Sequence, residues 1–159
     1  NFCGGFRKGC LRDSRAWRRN WLARYSRWFS FSEKHFNHAV IGVTKPSMKM
    51  MSTVFHRNQN ITSINLYKVY IRKEGAEILA EALRFNIGIT SVDLSCNELR
   101  KEGGVIIANM LKVNSTIQSI TLDRNSIGNE GAIAIAEVLR VNTCLKKIDL
   151  ARNSIGESG

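Results

Sequence analysis

A repeat constrains this chain more than any other feature. Leu66, Leu94, Leu122 and Leu150 recur at i, i+28, i+56 and i+84, as do Asn58, Asn86, Asn114 and Asn142, and Gly75, Gly103, Gly131 and Gly159. Three independent columns at one period point to stacked supersecondary units, each burying its apolar face against its neighbours, rather than to one closed core. The second unit reads Ile89-x-x-Val92-x-Leu94-x-x-Asn97-x-Leu99. The third reads Ile117-x-x-Ile120-x-Leu122-x-x-Asn125-x-Ile127, and the fourth Leu145-x-x-Ile148-x-Leu150-x-x-Asn153-x-Ile155. The first unit keeps Ile61, Ile64, Leu66 and Ile71 but has Val69 at the asparagine position.

Each unit divides into a strand and a helix. Val92 and Leu94 place two apolar side chains on one face of a short strand and leave Asp93 on the other. Asn97 must turn the chain out of the strand. Its amide both donates and accepts, so Asn97, Asn125 and Asn153 are expected to form a ladder that satisfies backbone groups inside the stack. The second half is helical: Ala132, Ile135, Ala136 and Leu139 follow i, i+3, i+4, i+7 spacing, and Ala76, Leu79, Ala80 and Leu83 repeat it. The small column Ala80, Ala108 and Ala136 is expected to let each helix approach its own strand closely. Arg84, Lys112 and Arg140 fall at the helix C-terminus, where cations are favoured. Asn86, Asn114 and Asn142 come next and are predicted as left-handed caps.

The pattern L-x-x-L-x-L-x-x-N-x-L, then Gly after three residues and spaced aliphatic residues, repeated at that period, resembles the ribonuclease-inhibitor-like subclass of leucine-rich repeats. That subclass also occurs in nucleotide-binding leucine-rich-repeat receptors and Ran GTPase-activating proteins. The resemblance covers residues 58–159. It implies an α/β fold, a right-handed leucine-rich-repeat solenoid with parallel strands inside on the concave face and helices outside. Residues 58–159 would supply three complete units and the strand part of a fourth. The chain starts at Asn1 without a Met and stops at Gly159 in mid-pattern, as expected of a piece of something longer. An open apolar end there implies more repeats or a covering partner. Val69, with Tyr67 and Tyr70 nearby, marks the first unit as the expected N-terminal cap.

Charge separates the repeats from what precedes them. The 159 residues carry a net charge of +11. Residues 1–57 hold 12 Lys/Arg and two acids, whereas residues 58–159 hold 12 Lys/Arg and 11 acids. Residues 1–37 are therefore read as a basic Trp/Arg-rich arm, extended or helical. Residues 38–57, with Gly42, Pro46 and Ser47, are read as a linker and possible cap in which Val54 and Phe55 cover the first repeat. As a helix, the arm would gather Trp17, Trp21, Tyr25 and Trp28 into an arc of about 80°. Arg12, Arg15, Arg18, Arg19 and Arg27 lie elsewhere around the circle, while Arg24 interrupts the aromatic side. Such a segment suits RNA or another polyanion, phosphates meeting arginines and bases stacking on rings. It also has the composition of a mitochondrial import signal and of a helix for anionic membranes or calmodulin-like proteins. A solvated tail is the plainer alternative.

Several classes of chemistry are excluded. No apolar run approaches the roughly 18 residues that span a bilayer, so no transmembrane segment is expected. Four scattered cysteines do not make a disulfide framework, which favours a reducing, intracellular compartment. Within it a mitochondrial location is expected, with the cytosol as the alternative. Gly4-Gly5 and Gly103-Gly104 lack a phosphate-loop pattern. Cys3, Cys10, His35 and His38 have poor zinc spacing. No catalytic residue, metal or cofactor is expected.

The outward strand positions remain as the binding surface. A protein partner is expected on Asn65, Tyr67, Asp93, Thr121, Asp123, Arg124, Lys147, Asp149 and Arg152, a mixed-charge face with one aromatic. The same residues would equally solubilise a passive solenoid. The sequence thus leads to a non-catalytic scaffold or structural subunit. It would hold protein through its repeats and be anchored by the arm, with RNA of a mitochondrial ribosome or similar particle as the expected polyanion. A regulatory module of a larger receptor or GTPase-activating protein is the alternative, as is an arm that serves only for import.

Overall fold

In a computed structural model of the chain, residues 29–31, 35–38 and 45–159 are described. In order they form β1 (Phe29–Phe31), β2 (His35–His38), α1 (Lys45–Arg57), β3 (Ser63–Asn65), α2 (Arg72–Leu83), β4 (Ser91–Asp93), α3 (Arg100–Val113), β5 (Ser119–Thr121), α4 (Gly128–Leu139) and β6 (Lys147–Asp149). The strands make one sheet in sequence order. β1 pairs antiparallel with β2, and every pairing from β2 to β6 is parallel. The helices pack on one another in the same order.

The short strands follow from the alternation. Ile64, Val92 and Ile120 are buried between partly exposed neighbours. Leu66, Leu94 and Leu122 extend that buried row, and Leu79, Leu83, Ile107, Leu111 and Ile135 meet it from the helices in one continuous core. The glycine column has a steric cause. A Cβ on Gly131 would lie 2.9 Å from Ile127 Cβ, and one on Gly104, which follows the column's Gly103, would lie 3.3 Å from the Gly131 Cα. Glycine at these two positions lets α4 close over Ile127 and against α3. Of the alanine column, Ala108 is buried and Ala136 is exposed, because α4 covers α3 and no described helix follows α4.

The asparagine ladder forms as the spacing implies, and it joins repeats rather than closing turns within them. Asn125 Nδ2 donates to Leu122 O at 2.9 Å in its own unit and to Leu94 O at 2.8 Å in the preceding one. Its Oδ1 accepts from Asn97 N at 2.9 Å and from Leu99 N at 3.4 Å. Asn97 and Asn153 repeat the arrangement one unit to either side. The asparagine carbonyls also start the helices: Arg72, Arg100 and Gly128 donate their N–H groups to Asn97 O, Asn125 O and Asn153 O at 3.0, 2.8 and 2.9 Å. No side chain caps α2, α3 or α4. Val69 lacks the amide but keeps its place as a recipient, its N–H donating to Asn97 Oδ1 at 3.1 Å.

Two expectations are corrected. Asn86, Asn114 and Asn142 are not left-handed caps, since none has a positive φ. They form a second ladder. Asn114 Nδ2 donates to Leu83 O, the last residue of α2, at 2.7 Å, while its Oδ1 accepts from Thr116 N and Ile117 N at 2.9 and 2.8 Å. Asn142 does the same for Leu111 at the end of α3, and Asn86 donates to Phe55 O at the end of α1. A side-chain bond to the previous helix replaces the left-handed turn.

The second correction concerns the N-terminal boundary. The first unit is not terminal, because β2 and α1 occupy the frame of a further unit. His35, Phe36 and Asn37 pair in register with Ser63, Ile64 and Asn65, each one repeat period on. Met48, Met51 and Phe55 precede Ala76, Leu79 and Leu83 by the same period, and all three are buried against the core together with Val54. Residues 45–57 are a helix of the stack in which Val54 and Phe55 are buried against the first repeat, as the possible cap would have them, and residues 29–31 and 35–38 add two strands. The unit was hidden because its markers differ: Glu33, His38 and Ile41 stand where Ile61, Leu66 and Val69 recur.

Replacing Asn125 by Ala removes five side-chain hydrogen bonds and leaves buried groups of two repeats unpaired. The expected loss is about 3 kcal/mol or more, a thermal midpoint lower by about 10 °C. Asn125→Asp keeps the acceptor, loses the donor and recovers only part of that loss. Calorimetry of the three proteins checks the order.

Candidate partner-binding surface

β3, β4 and β5 each end in a turn with a left-handed backbone at three alternate positions, and β6 in one with two. The first is Lys68, Cys96, Arg124 and Arg152, with φ of 53 to 58°. The second is Tyr70, Glu98, Ser126 and Ser154, and the third includes Arg72, Arg100 and Gly128. The N–H groups of Lys68, Cys96 and Arg124 donate to Ser95 O, Asp123 O and Ala151 O of the next unit at 3.0, 2.9 and 3.1 Å. The turns thus stack as tightly as the strands. A Cβ in this conformation costs roughly 1 kcal/mol, and glycine or asparagine would avoid it. Gly128 shows the relaxed solution at one of these positions. Elsewhere the chain keeps Lys68, Arg72, Arg100, Arg124 and Arg152. Arg124 and Arg152 were expected on this face; that Lys68, Arg124 and Arg152 share a left-handed position with Cys96, and Arg72 and Arg100 another with Gly128, was not.

The acids expected on this face do local work. Asn65, Asp93 and Asp149 each accept, through Oδ1, the N–H two residues later, at 2.9 Å, and so shape the turn. Ser95 Oγ adds a second bond to Asp93 at 2.6 Å. Asp123 is a correction: the spacing placed it on the open surface, but it is buried and accepts from Arg152 Nε and an Nη at 2.8 and 3.1 Å. The two-pronged geometry explains this, since a guanidinium from the next unit reaches both oxygens. Arg152 itself remains largely exposed. Thr121 is half-buried on β5 and Lys147 exposed on β6.

Tyr67, Lys68 and Arg124 are exposed, and no ion pair engages either cation among the described residues. Arg72 pairs with Glu98 of the next repeat at 3.3 Å. The face therefore carries one exposed aromatic, four cations without an ion pair among the described residues (Lys68, Arg100, Arg124 and Lys147) and acids half-occupied by turns. It offers hydrogen-bonding and charge contacts and no nucleophile–base pair. Among the described residues no group of three His, Cys, Asp or Glu side chains could hold a metal ion. An open groove between α1 and α2, lined by Lys49, His56, Glu77 and Glu81 among others, brings no such group together either. The arm residues Arg12, Arg15, Trp17, Arg18, Arg19, Trp21, Arg24, Arg27 and Trp28 lie outside the described residues.

Arg124→Gly relieves the left-handed strain and removes no described ion pair. It is expected to stabilise the fold by about 0.5–1 kcal/mol after glycine's own entropy cost. Urea titration of the two proteins measures the difference.

Comparison with known proteins agrees with this architecture. A family model described as Leucine Rich repeat matches residues 86–108, 113–136 and 141–159. No curated protein matches the sequence. Among solved structures, one of leiomodin-1 described as actin-binding site 2 is similar over 67% of this chain, with a TM-score of 0.62 and 24% identity. The chain spans 63% of that structure's length. The tropomodulin C-terminal domain of Caenorhabditis elegans aligns over 65% of this chain and 82% of its own, with a TM-score of 0.48 and 10% identity. At such identities the likeness is one of fold. The likeness to leiomodin-1 joins the match to the repeat model, the parallel one-strand-per-unit sheet and the asparagine ladder in one conclusion: the described residues fold as a leucine-rich-repeat solenoid.

Proposed function

We propose that the protein is a non-catalytic scaffold of the ribonuclease-inhibitor-like kind that holds a protein partner on the strand-end face. One observation carries this reading. Lys68 and Arg124 keep long cationic side chains in left-handed positions that glycine or asparagine would fill at lower cost, and neither has an ion-pair partner among the described residues. Strain retained where the turn does not require the side chain is characteristic of binding surfaces. Tyr67 stands beside them as an exposed aromatic of the kind that dominates interfaces. Proteins co-isolated with the full chain are expected to fall at least tenfold with Tyr67→Ala/Lys68→Gly/Arg124→Gly, at unchanged or higher thermal midpoint. Retention of the same proteins by the folded triple variant argues against the face.

The arm supplies a second contact in this proposal. Residues 1–28 hold eight Lys/Arg and one acid, a steeper bias than in the rest of the chain. With Trp17, Trp21 and Trp28 interleaved, this composition favours phosphate contacts and base stacking, and hence an RNA anchor in a particle such as a mitochondrial ribosome. RNA affinity of the full chain is expected to fall steeply with salt. Arg12→Gln/Arg15→Gln/Arg18→Gln/Arg19→Gln should lower the slope of log K against log salt by about 3. Equal slopes remove the anchor and leave import as the arm's role, which sequencing of the mature N-terminus in cells would then show.

A further inference from the structure

The opposite edge of the solenoid, where the helices end, carries a surface that neither the core nor the ladders explain. Phe85, Val113 and Val141 recur once per repeat and are 65%, 44% and 56% exposed. Ile87 lies beside Phe85 and is equally exposed. One solvated apolar side chain is ordinary, but the same choice in three stacked units makes a continuous strip. The buried columns on either side, Leu83 and Leu111 before it and Ile89 and Ile117 after it, already fill the core.

A cation precedes each member of the strip. Arg84, Lys112 and Arg140 are exposed, and none makes an ion pair among the described residues. Arg84 lies over the Phe85 ring, 5.5 Å from its centroid. Arg84 and Lys112 are not required to satisfy helix ends, because Asn114 and Asn142 already donate to Leu83 O and Leu111 O. Glu81 and Glu137, exposed three residues before Arg84 and Arg140, offset two of the charges; Lys112 has Asn109 at that position.

We infer that this helix-end edge docks an acidic amphipathic helix of a partner protein. Its apolar side chains would cover Phe85, Val113 and Val141 while its carboxylates meet Arg84, Lys112 and Arg140. The cations, Lys112 above all, favour an acidic partner and disfavour the chain's own arm, whose residues 1–28 hold eight Lys/Arg and one acid. Rows of a repeat stack are spaced between the roughly 5 Å of strands and the roughly 10 Å of helices. Helical side chains four to seven residues apart, about 6–10.5 Å along the axis, match that range. Three cations with two small valines fall short of the basic clusters of about four to eight that hold anionic membranes. This edge precedes each strand whereas the face proposed above follows it, so the two surfaces are independent.

The test titrates the full chain into a fluorescent synthetic helix bearing Leu at i, i+4 and i+7 flanked by Asp and Glu. A peptide with Lys in place of the acids and vesicles rich in phosphatidylserine run in parallel. The acidic peptide should bind at least tenfold more tightly than the Lys peptide. Phe85→Ser/Val113→Ser/Val141→Ser and, separately, Arg84→Glu/Lys112→Glu/Arg140→Glu should each weaken it at least tenfold with the melting temperature unchanged. Arg124→Gly on the other surface should leave it unaltered. Failure of the acidic peptide to bind, binding that survives either edge variant, or edge-dependent binding of vesicles without the peptide would each overturn the inference.

Discussion

The structure depends on one amide per repeat. A strand this short cannot hold a whole repeat unit in place, and the turns that follow it would leave buried N–H and C=O groups unpaired. Asn97, Asn125 and Asn153 meet both needs because a carboxamide donates two bonds and accepts two. Asn125, for example, joins a carbonyl of its own unit, a carbonyl of the preceding unit and two N–H groups of the preceding turn. Aspartate lacks the donors and leucine lacks everything. The hydrophobic columns fill the space between sheet and helices, but the amides fix the register in which those columns meet.

That fixed register creates both candidate surfaces. Because turns stack in register, a side chain chosen once per unit becomes a row. The strand-end row is cationic and sits on strained backbone; the helix-end row is apolar with cations alongside. The second asparagine ladder serves the latter edge as the first serves the former, by bonding the last carbonyls of α1, α2 and α3 through Asn86, Asn114 and Asn142. With the ends of α2 and α3 satisfied internally, Arg84 and Lys112 are left available.

The period, the strand–helix division and the Asn97 ladder were legible in the sequence because each rests on residue types recurring at one spacing. Left-handed turns were not, because the residues that adopt them are Lys, Arg, Glu, Tyr, Ser and Cys, and no local preference marks these; stacking against the next repeat imposes the conformation. Asn114 misled for the opposite reason, since asparagine after a helix fits a left-handed cap equally well until its neighbour's carbonyl is known. The unit built from β2 and α1 escaped notice because burial there uses Met48, Met51 and Phe55 in place of the aliphatic columns. Its basic composition also drew attention to charge instead. Asp123 reads as a surface acid until Arg152, in the turn of the next unit, is placed beside it.

The central claim is that the stack, from the unit of β2 and α1 onward, is one structure joined by asparagine amides. Hydrogen exchange in the native protein tests it most directly. The N–H groups of Val69, Asn97 and Asn125, which donate to the amide of the next repeat, should fall in the slowest class. Those of Met51 and Phe55 in α1 should open with the same free energy. Exchange of the three ladder donors as fast as that of exposed turns, or opening of α1 independently of the repeats, would contradict the account.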